Sequence, residues 1–494
     1  MRSIGSRGWI LLAALAGSGC TTSVTALSPD LAGLYNRAAR WQDDRRNPVI
    51  VIPGVLGTKL RDGESGRIAW GAFLGGYADP RTAEGARMVA LPMREGATLA
   101  ALRDGVVPDG VLESVRVSVL GLPMEQQAYV SILRTLGVGG YRDQQLANAG
   151  AIDYGTDHFT CFQFDYDWRR DNVENAQRLH RFILEKRAYV RRELKARYGI
   201  ERSELRFDIV AHSMGGLLAR YYLRYGDADL PDDGQLPEIT WAGAENVERL
   251  VMVGTPNAGS VLALRDLVEG TKLSFFLPRY PASVLGTMPA TYQLLPRTRH
   301  GAVRDASGSV LDLYDPAVWE RYGWGLASPR NRRALEKLLP EIEDPEERGR
   351  IAQDHLRKAL TRARRFQAAI DVPAAAPPST FLHLFAGDAR ATPAVMTVDD
   401  DGTLSVSIEA PGDDIVLRSS AVMDERTGRE DTDEWRPGLR SPIDWRDVTF
   451  VFTNHLEMTR DPAFIDNILY RLLDAPRPPA ISRPPSAQSS LPPL

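Results

Sequence analysis

The segment LRFDIVAHSMGGLLARYY (205–222) constrains the fold more than any other part of the sequence. An apolar run is followed by small residues and then by apolar residues at helical spacing, which predicts a strand, a sharp turn and a helix. Ser213 lies at the turn, either as a nucleophile held at the sheet edge or as an ordinary helix N-cap. Ala211 stands where the G-x-S-x-G fingerprint has its first glycine, and we expect a small residue to be sufficient there.

Similar apolar runs recur along the chain. We predict further strands at residues 47–54, 159–168, 248–256, 380–388 and 448–454. Their continuous apolar character is typical of parallel strands that are covered on both faces. Residues 172–199 have helical periodicity, with Asn172 as the expected N-cap and Gly199 as the expected end. The predicted fold class is therefore α/β, with a mostly parallel central sheet and helices on both faces.

The order of these elements divides the chain into segments. We expect a signal peptide (1–19), a tether and entry helix (20–46), a first part of the core (47–256), an inserted cap (257–379), a second part of the core (380–474) and a disordered Pro/Ser-rich tail (475–494). The cap includes an aromatic, Pro-containing section at residues 272–296. This section either contacts lipid or packs against the core.

The first twenty residues predict export. Arg2 and Arg7 precede the apolar run WILLAALAGSG, which ends at Cys20 and is too short to span a bilayer. A cysteine directly after small residues is similar to the lipobox of bacterial lipoproteins, which implies that Cys20 is lipidated. We expect a lipid-anchored protein of the cell envelope, and the non-acidic Thr21 favours the outer membrane of a diderm bacterium. The alternative is a secreted or periplasmic protein.

Composition excludes some classes of partner and cross-link. The net charge of −4 gives no reason to expect nucleic-acid binding. Besides Cys20 there is one other cysteine, Cys161, so no internal disulfide is expected. Cys161 lies in the apolar stretch FTCFQF, where we expect a buried small side chain rather than a nucleophile.

A nucleophilic serine needs a base and an acid that orients the base. Among seven histidines, His455 directly follows the last predicted strand and precedes a helix, where the chain order Ser, Asp, His places the base. Strand order alone favours Asp388 as the acid. Other candidates follow it in the sequence: Asp400, Asp401, Asp413 and Asp414.

An acyl-transfer site also needs two backbone donors for the oxyanion. We expect one from Met214, which follows Ser213, and the other from Val55 in the loop PGVLGTK after the first core strand. No H-E-x-x-H or similar spacing occurs, so no metal or other cofactor is expected.

With these residues the chain resembles the lecithin:cholesterol acyltransferase family between about residues 47 and 473. The similar stretches are PVIVIPGVLGTKL, FDYDWRRD, AHSMGG, VGTPNAGS, MPATYQLLP, APGDDIVLRSSA and NHLEMTRDPAFIDNIL. The resemblance implies an α/β-hydrolase fold and a Ser213, Asp413, His455 triad, because the family carries its acid on the first Asp of the motif that matches GDD. It also implies that DDDGTLSVSIE (399–409) is a hairpin insertion.

The chain departs from the family in three respects. Animal members carry disulfides for which this sequence has no cysteines, Ile415 replaces the usual Thr of the acid motif, and the cap is diverged. The acyl donor and acceptor therefore do not carry over. The family places Asp167, Trp168 and Arg169 beside the active site, whereas we favour a structural Arg–carboxylate pair with a packed Trp.

These features together predict a serine acyl hydrolase or O-acyltransferase that acts on lipid esters through an acyl-enzyme. Its expected partners are a lipid or ester substrate and, through the anchor, a membrane. The alternatives are a general carboxylesterase acting on soluble esters and a non-catalytic envelope lipoprotein. No feature of the sequence indicates a protein partner.

Overall fold

The computed structural model describes residues 30–41, 45–71, 78–112, 115–119, 122–126, 128–231, 234–272, 279–426 and 438–475. The predicted signal peptide and Cys20 lie outside the described residues. So do residues 273–278 of the aromatic cap section and all but the first residue of the predicted tail.

The described strands and helices follow one another from residue 31 to residue 474. The strands are β1 Val49–Ile52, β2 Thr58–Asp62, β3 Ile68–Trp70, β4 Val106–Val111, β5 Val115–Val119, β6 Leu122–Gln126, β7 Cys161–Gln163, β8 Phe207–His212, β9 Val247–Val253, β10 Val303–Asp305, β11 Phe381–Gly387, β12 Arg390–Val398, β13 Leu404–Gly412 and β14 Trp445–Val451. The α-helices are α1 Leu31–Arg40, α2 Ala83–Val89, α3 Ala128–Val138, α4 Gln144–Asn148, α5 Asn172–Tyr198, α6 Met214–Tyr225, α7 Val261–Glu269, α8 Ala282–Leu285, α9 Pro289–Tyr292, α10 Pro316–Tyr322, α11 Arg332–Leu338, α12 Pro345–Asp371, α13 Arg418–Val422 and α14 Pro462–Leu469, followed by a π-helical turn at Tyr470–Asp474.

The central sheet has the order β14-β11-β9-β8-β1-β7, and every neighbouring pair is parallel. The predicted parallel sheet is therefore confirmed. The order reverses at β1, because the next strand of the sheet, β7, lies on one side of it and β8 lies on the other. Loops leave such a switch point in opposite directions, which opens a crevice at the carboxyl ends of the strands.

Both faces of this sheet are covered, as the apolar runs predict. Ile50 and Ile52 belong to a core cluster that includes buried side chains of α5, α6 and α12. Val49 and Val51 point to the other face, into a cluster with α1, α3 and α14. Successive side chains of a strand point to opposite faces, so a strand buried on both sides has to be apolar at every position.

Two local predictions are wrong in detail. The strand predicted within 159–168 spans only Cys161–Gln163, since the backbone N–H of Tyr166 already bonds the Thr58 hydroxyl rather than a sheet partner. The N-cap of α5 is Asp171, whose carboxylate accepts the Val173 N–H. Asn172 is the first helical residue, and Gly199 ends the helix as predicted.

The described part of residues 257–379 contains the helices α7 to α12 and one short strand, β10. This strand pairs in parallel with β12, the first strand of the β12–β13 hairpin. The hairpin spans the segment that the family resemblance predicts as an insertion. Among the described helices, none combines the length and apolarity needed to cross a bilayer.

Candidate active site

Ser213 lies at the turn between β8 and α6, as predicted. Its backbone has φ 52° and ψ −125°, a strained conformation for a residue other than glycine. Its N–H donates to the Val253 carbonyl of the neighbouring strand at 2.8 Å. Although Ser213 occupies the N-cap position of α6, its side chain makes no capping hydrogen bond with the helix. The Ser213 hydroxyl is therefore not used to cap α6.

Small residues let the helix approach the sheet at this turn. A Cβ on Gly215 would lie 2.5 Å from the Pro53 carbonyl oxygen, which only glycine avoids. Ala211 is fully buried in β8 and pairs with Ile52 of β1 and Met252 of β9. Its methyl group is accommodated in the core, so the first glycine of the fingerprint is not required here.

His455 and Asp413 form a buried pair. His455 Nδ1 lies 2.9 Å from Asp413 Oδ2, and the His455 N–H donates to the Asp413 carbonyl at 2.8 Å. Asp413 Oδ1 accepts two further backbone bonds, from Ile415 at 3.0 Å and Val416 at 2.7 Å. Burial alone would raise the pKa of Asp413, but the adjacent His455 and these hydrogen bonds hold that pKa below its usual value. The carboxylate is therefore ionised and fixes the imidazole with Nδ1 protonated.

A glycine at the end of β9 makes room for this imidazole. Gly254 has φ +57°, and a Cβ on it would lie 3.0 Å from Cε1 and Nδ1 of His455. The preceding residue, Val253, accepts the N–H of Ser213. The carboxyl end of one strand thus contacts both the serine and the histidine. The described structure has no hydrogen bond between Ser213 Oγ and His455 Nε2, and in enzymes without substrate this bond is often long.

The turn after β1 contains Val55, the expected second oxyanion donor. Gly57 N–H bonds the Gly54 carbonyl at 3.1 Å and closes a tight turn around Val55 and Leu56. Trp70 Nε1 holds the Leu56 carbonyl at 2.8 Å. Among the described residues, neither the N–H of Val55 nor that of Met214 has a protein acceptor. Both donors are available at the switch point of the sheet.

The alternative acid and the other polar candidates have different partners. Asp388 forms an ion pair with Arg418 at 2.6 Å and makes no bond to His455. His355, one of the other six histidines of the sequence, bonds the Thr287 carbonyl at 3.0 Å within the core. Cys161 is buried, and burial raises its thiol pKa well above the usual value, as expected for a structural cysteine.

The Asp167–Trp168–Arg169 motif forms a structural unit. Arg169 is fully buried and makes two bonds to Asp167, at 2.9 and 2.8 Å, and an ion pair with Asp104 at 2.9 Å. Trp168 Nε1 donates to the Thr58 carbonyl at 3.1 Å. These contacts fix the loop after β7 against β2, and they agree with the structural interpretation of the motif.

Sequence reasoning missed two residues that shape the site, Gly254 and Tyr129. Gly254 belongs to the stretch VGTPNAGS, and its position directly after a buried strand indicates a close approach to the site. Tyr129, on α3, accepts the Gly54 N–H at 2.8 Å. The two residues are 75 positions apart in the sequence, so no local sequence pattern indicates that they interact.

Comparisons with known proteins identify the family that the chain resembles. The family model described as "Lecithin:cholesterol acyltransferase" matches residues 140–319, which include Ser213, and the resemblance drawn from the motifs is confirmed. No curated protein matches the chain.

One solved structure shows the fold, and two others align more weakly. The protein in the Tle4–Tli4 complex aligns with a TM-score of 0.53 and 15% identity, over 87% of this chain and 100% of that one. EstA from Clostridium botulinum aligns at 0.31 and 12% identity, over 88% of each chain. Lipase 1 from Pelosinus fermentans aligns at 0.31 and 12% identity, over 87% of this chain and 99% of that one. The chain has the α/β-hydrolase fold, and the family match supports an enzyme that hydrolyses or transfers acyl groups of lipid esters.

Proposed function

We propose that the protein is a serine-dependent acyl hydrolase or O-acyltransferase of lipid esters. The observation that carries the proposal is the buried Asp413–His455 pair at the same sheet edge as the strained Ser213 turn. Nucleophilic acyl transfer requires a serine, an imidazole and a carboxylate. Three separate loops bring these groups to one edge of the sheet.

The first half of the reaction forms an acyl-enzyme. Ser213 Oγ attacks the ester carbonyl while His455 Nε2 takes the hydroxyl proton. The carbonyl oxygen becomes an oxyanion that accepts hydrogen bonds from the Met214 and Val55 N–H groups. When the tetrahedral intermediate collapses, His455 gives its proton to the leaving alcohol, and the acyl group stays on Ser213. Asp413 keeps the imidazole oriented and stabilises its charged form.

The second half returns the enzyme to its starting state. His455 removes a proton from water or from an acceptor alcohol, whose oxygen then attacks the Ser213 ester. Collapse of the second tetrahedral intermediate releases the acid or the new ester and returns the proton to Ser213 Oγ. The same triad serves either acceptor, so the choice depends on whether an acceptor alcohol excludes water from the site.

Exposed apolar side chains beside the triad support a lipid substrate. Ile415, two residues after Asp413, is 42% exposed. Phe452 and Leu456, which flank Asn454 and His455, are 74% and 37% exposed. Burial of these apolar side chains against the acyl chains of a lipid removes apolar surface from water, which is favourable.

A fluorophosphonate probe tests the mechanism. Wild-type protein should be labelled covalently, whereas Ser213→Ala should not. An unlabelled wild type, or equal labelling of Ser213→Ala, would contradict the proposal. Labelling of the wild type also excludes the non-catalytic alternative.

Product analysis tests the substrate class. Phospholipid vesicles are incubated with the enzyme, with and without a sterol as acceptor alcohol. Free fatty acid indicates hydrolysis and sterol ester indicates transfer. Turnover of short soluble esters with no release from vesicles would favour the carboxylesterase alternative instead.

We also propose that Cys20 carries a lipid anchor at the cell envelope, in the outer membrane of a diderm cell. The supporting observation is the signal-like run that ends at this cysteine. Wild-type protein should incorporate labelled palmitate and fractionate with the outer membrane, and Cys20→Ala should do neither. Recovery of the wild type in the soluble periplasmic or secreted fraction would contradict the anchor.

A further inference from the structure

Two buried side chains connect the oxyanion turn to the histidine loop. Gly54 N–H donates to Tyr129 Oη at 2.8 Å, and Tyr129 Oη lies 3.3 Å from His212 Nδ1. His212 Nε2 lies 3.1 Å from the carbonyl oxygen of His455. These contacts join α3, the end of β8 and the loops after β1 and β14.

The partners fix the direction of each hydrogen bond. A carbonyl oxygen can only accept, so His212 Nε2 carries the proton. Burial and the nearby His455 lower the pKa of His212 to about 3, which keeps the ring neutral and leaves Nδ1 as an acceptor. Burial raises the pKa of Tyr129, so its hydroxyl stays protonated and donates to Nδ1. The chain runs from Gly54 N–H through Tyr129 and His212 to the His455 carbonyl without an unmatched donor.

We propose that Tyr129 and His212 are positioning residues, which together set the distance between the oxyanion donors and the base. This inference rests on the proposed function. Tyr129 occupies the Gly54 N–H, so that this donor does not compete with the Val55 N–H for the oxyanion. His212 holds the carbonyl group of His455, while Asp413 holds its backbone N–H and its Nδ1.

Tight packing makes this connection stiff. A Cβ on Gly57 would lie 2.6 Å from Tyr129 Oη, so the hydroxyl contacts both ends of the oxyanion turn. The rings of His212 and His455 lie 4.8 Å apart between their centroids. Tyr129 and His212 are 7% and 2% exposed, so water does not readily replace either partner. A displacement of about 1 Å at such a site costs on the order of 100-fold in rate.

Two substitutions cut the connection at different links. Tyr129→Phe removes the hydroxyl and leaves the Gly54 N–H unpaired. His212→Asn keeps an acceptor near Nδ1 for Tyr129 but has no donor that reaches the His455 carbonyl. Tyr225→Phe is the matched control, because it removes a buried hydroxyl that donates to the Ala369 carbonyl at 2.8 Å, at the far end of α6.

The experiment measures kcat, KM and the rate of fluorophosphonate labelling for each variant and for the double variant. We expect Tyr129→Phe and His212→Asn each to lower kcat and the labelling rate by about 10- to 100-fold, with KM changed less than about 2-fold. The double variant should be about as slow as the slower single variant, because residues that act through one another are not additive. The control should stay within about 2-fold of the wild type.

Three results would overturn the inference: a kcat loss below about 3-fold in either variant, a loss confined to KM, or losses that multiply in the double variant. Circular dichroism verifies that each variant is folded. If Tyr129→Phe does not fold, the kcat of His212→Asn decides by the same criterion. A wild type that the probe does not label refutes the proposed function, whereas a labelled wild type with unaffected variants refutes only this inference.

Discussion

Asp413→Asn replaces one carboxylate oxygen by an amide nitrogen with little change in shape. In the native protein Oδ1 accepts the N–H groups of Ile415 and Val416, and Oδ2 faces His455 Nδ1 at 2.9 Å. The two backbone donors require an oxygen, so the amide nitrogen of the variant faces His455. Two donors then oppose each other unless the imidazole proton moves to Nε2. That tautomer cannot accept the proton of Ser213.

The size of the effect follows from this tautomer change. Where an aspartate of this role has been replaced by asparagine in a serine protease, kcat falls about 10⁴-fold, which corresponds to about 5 kcal/mol in the barrier. We expect a loss of similar order here. Because the backbone bonds to Oδ1 remain, the free energy of unfolding should fall by only about 1–3 kcal/mol.

The folded state should also lose part of its pH dependence. The pKa of Asp413 is lower in the folded protein than in the unfolded chain. Its carboxylate therefore contributes stability above about pH 4, the usual aspartate value, and that contribution is lost as the pH falls through the folded pKa. The neutral amide of Asp413→Asn does not make this pH-dependent contribution to stability.

The assay is ester turnover per folded molecule, with urea unfolding measured in parallel. Asp388→Asn is the matched control: it makes the same change at a carboxylate that pairs with Arg418 instead. We expect the control to retain turnover within about 2-fold. A large loss in Asp388→Asn together with near-normal turnover in Asp413→Asn would refute the reasoning and identify Asp388 as the acid.

Other positions yield predictions of different kinds. Gly254→Ala should lower kcat by at least about 10-fold in ester assays without unfolding the protein. The added Cβ would lie 3.0 Å from His455, at a residue whose φ is +57°. An unchanged kcat would show that the imidazole does not need this space. Arg169→Met leaves the buried Asp167 carboxylate uncompensated, so urea unfolding should show a loss of about 3–5 kcal/mol in the free energy of unfolding. Turnover per folded molecule should be retained. A selective loss of turnover would instead support a role at the active site. Burial alone would raise the pKa of Asp447, but its hydrogen-bond partners lower that pKa to about 2. Asp447→Asn should therefore reduce the free energy of unfolding above pH 4, by about 1 kcal/mol because the carboxylate is 40% exposed, and flatten the acid unfolding curve between about pH 4 and 2. An unchanged acid curve would contradict this prediction.

Local features of the fold could be read from the sequence because they depend on neighbouring residues. The apolar runs predict the parallel strands, and the small residues around Ser213 predict the turn between β8 and α6. The N-cap of α5 is Asp171 rather than the predicted Asn172. Both residue types are good caps, but the Asp171 carboxylate accepts the Val173 N–H, whereas the Asn172 side chain donates to Gln293.

The choice between Asp388 and Asp413 as the partner of His455 cannot be made from strand order. Gly387 ends β11, and a Cβ on it would lie 2.4 Å from the Cβ of Asp413, so the hairpin returns Asp413 to the very point where Asp388 leaves the strand. Strand order cannot distinguish two carboxylates that end at one place. The side-chain partners do: Arg418 takes Asp388, and His455 takes Asp413.

The sequence by itself determined the strand–turn–helix around Ser213, the loop that carries His455 and the class of sheet that holds them, since periodicity and turn chemistry act over a few residues. Only the tertiary structure showed that His455 contacts Asp413, the acid that the family resemblance implies and that strand order does not favour. It alone also showed that Gly254 makes room for the His455 ring and that Tyr129 reaches Gly54 and His212. The physical reason is that these contacts join residues far apart in the chain. Their geometry depends on how the loops close over the sheet, and no local pattern encodes that closure.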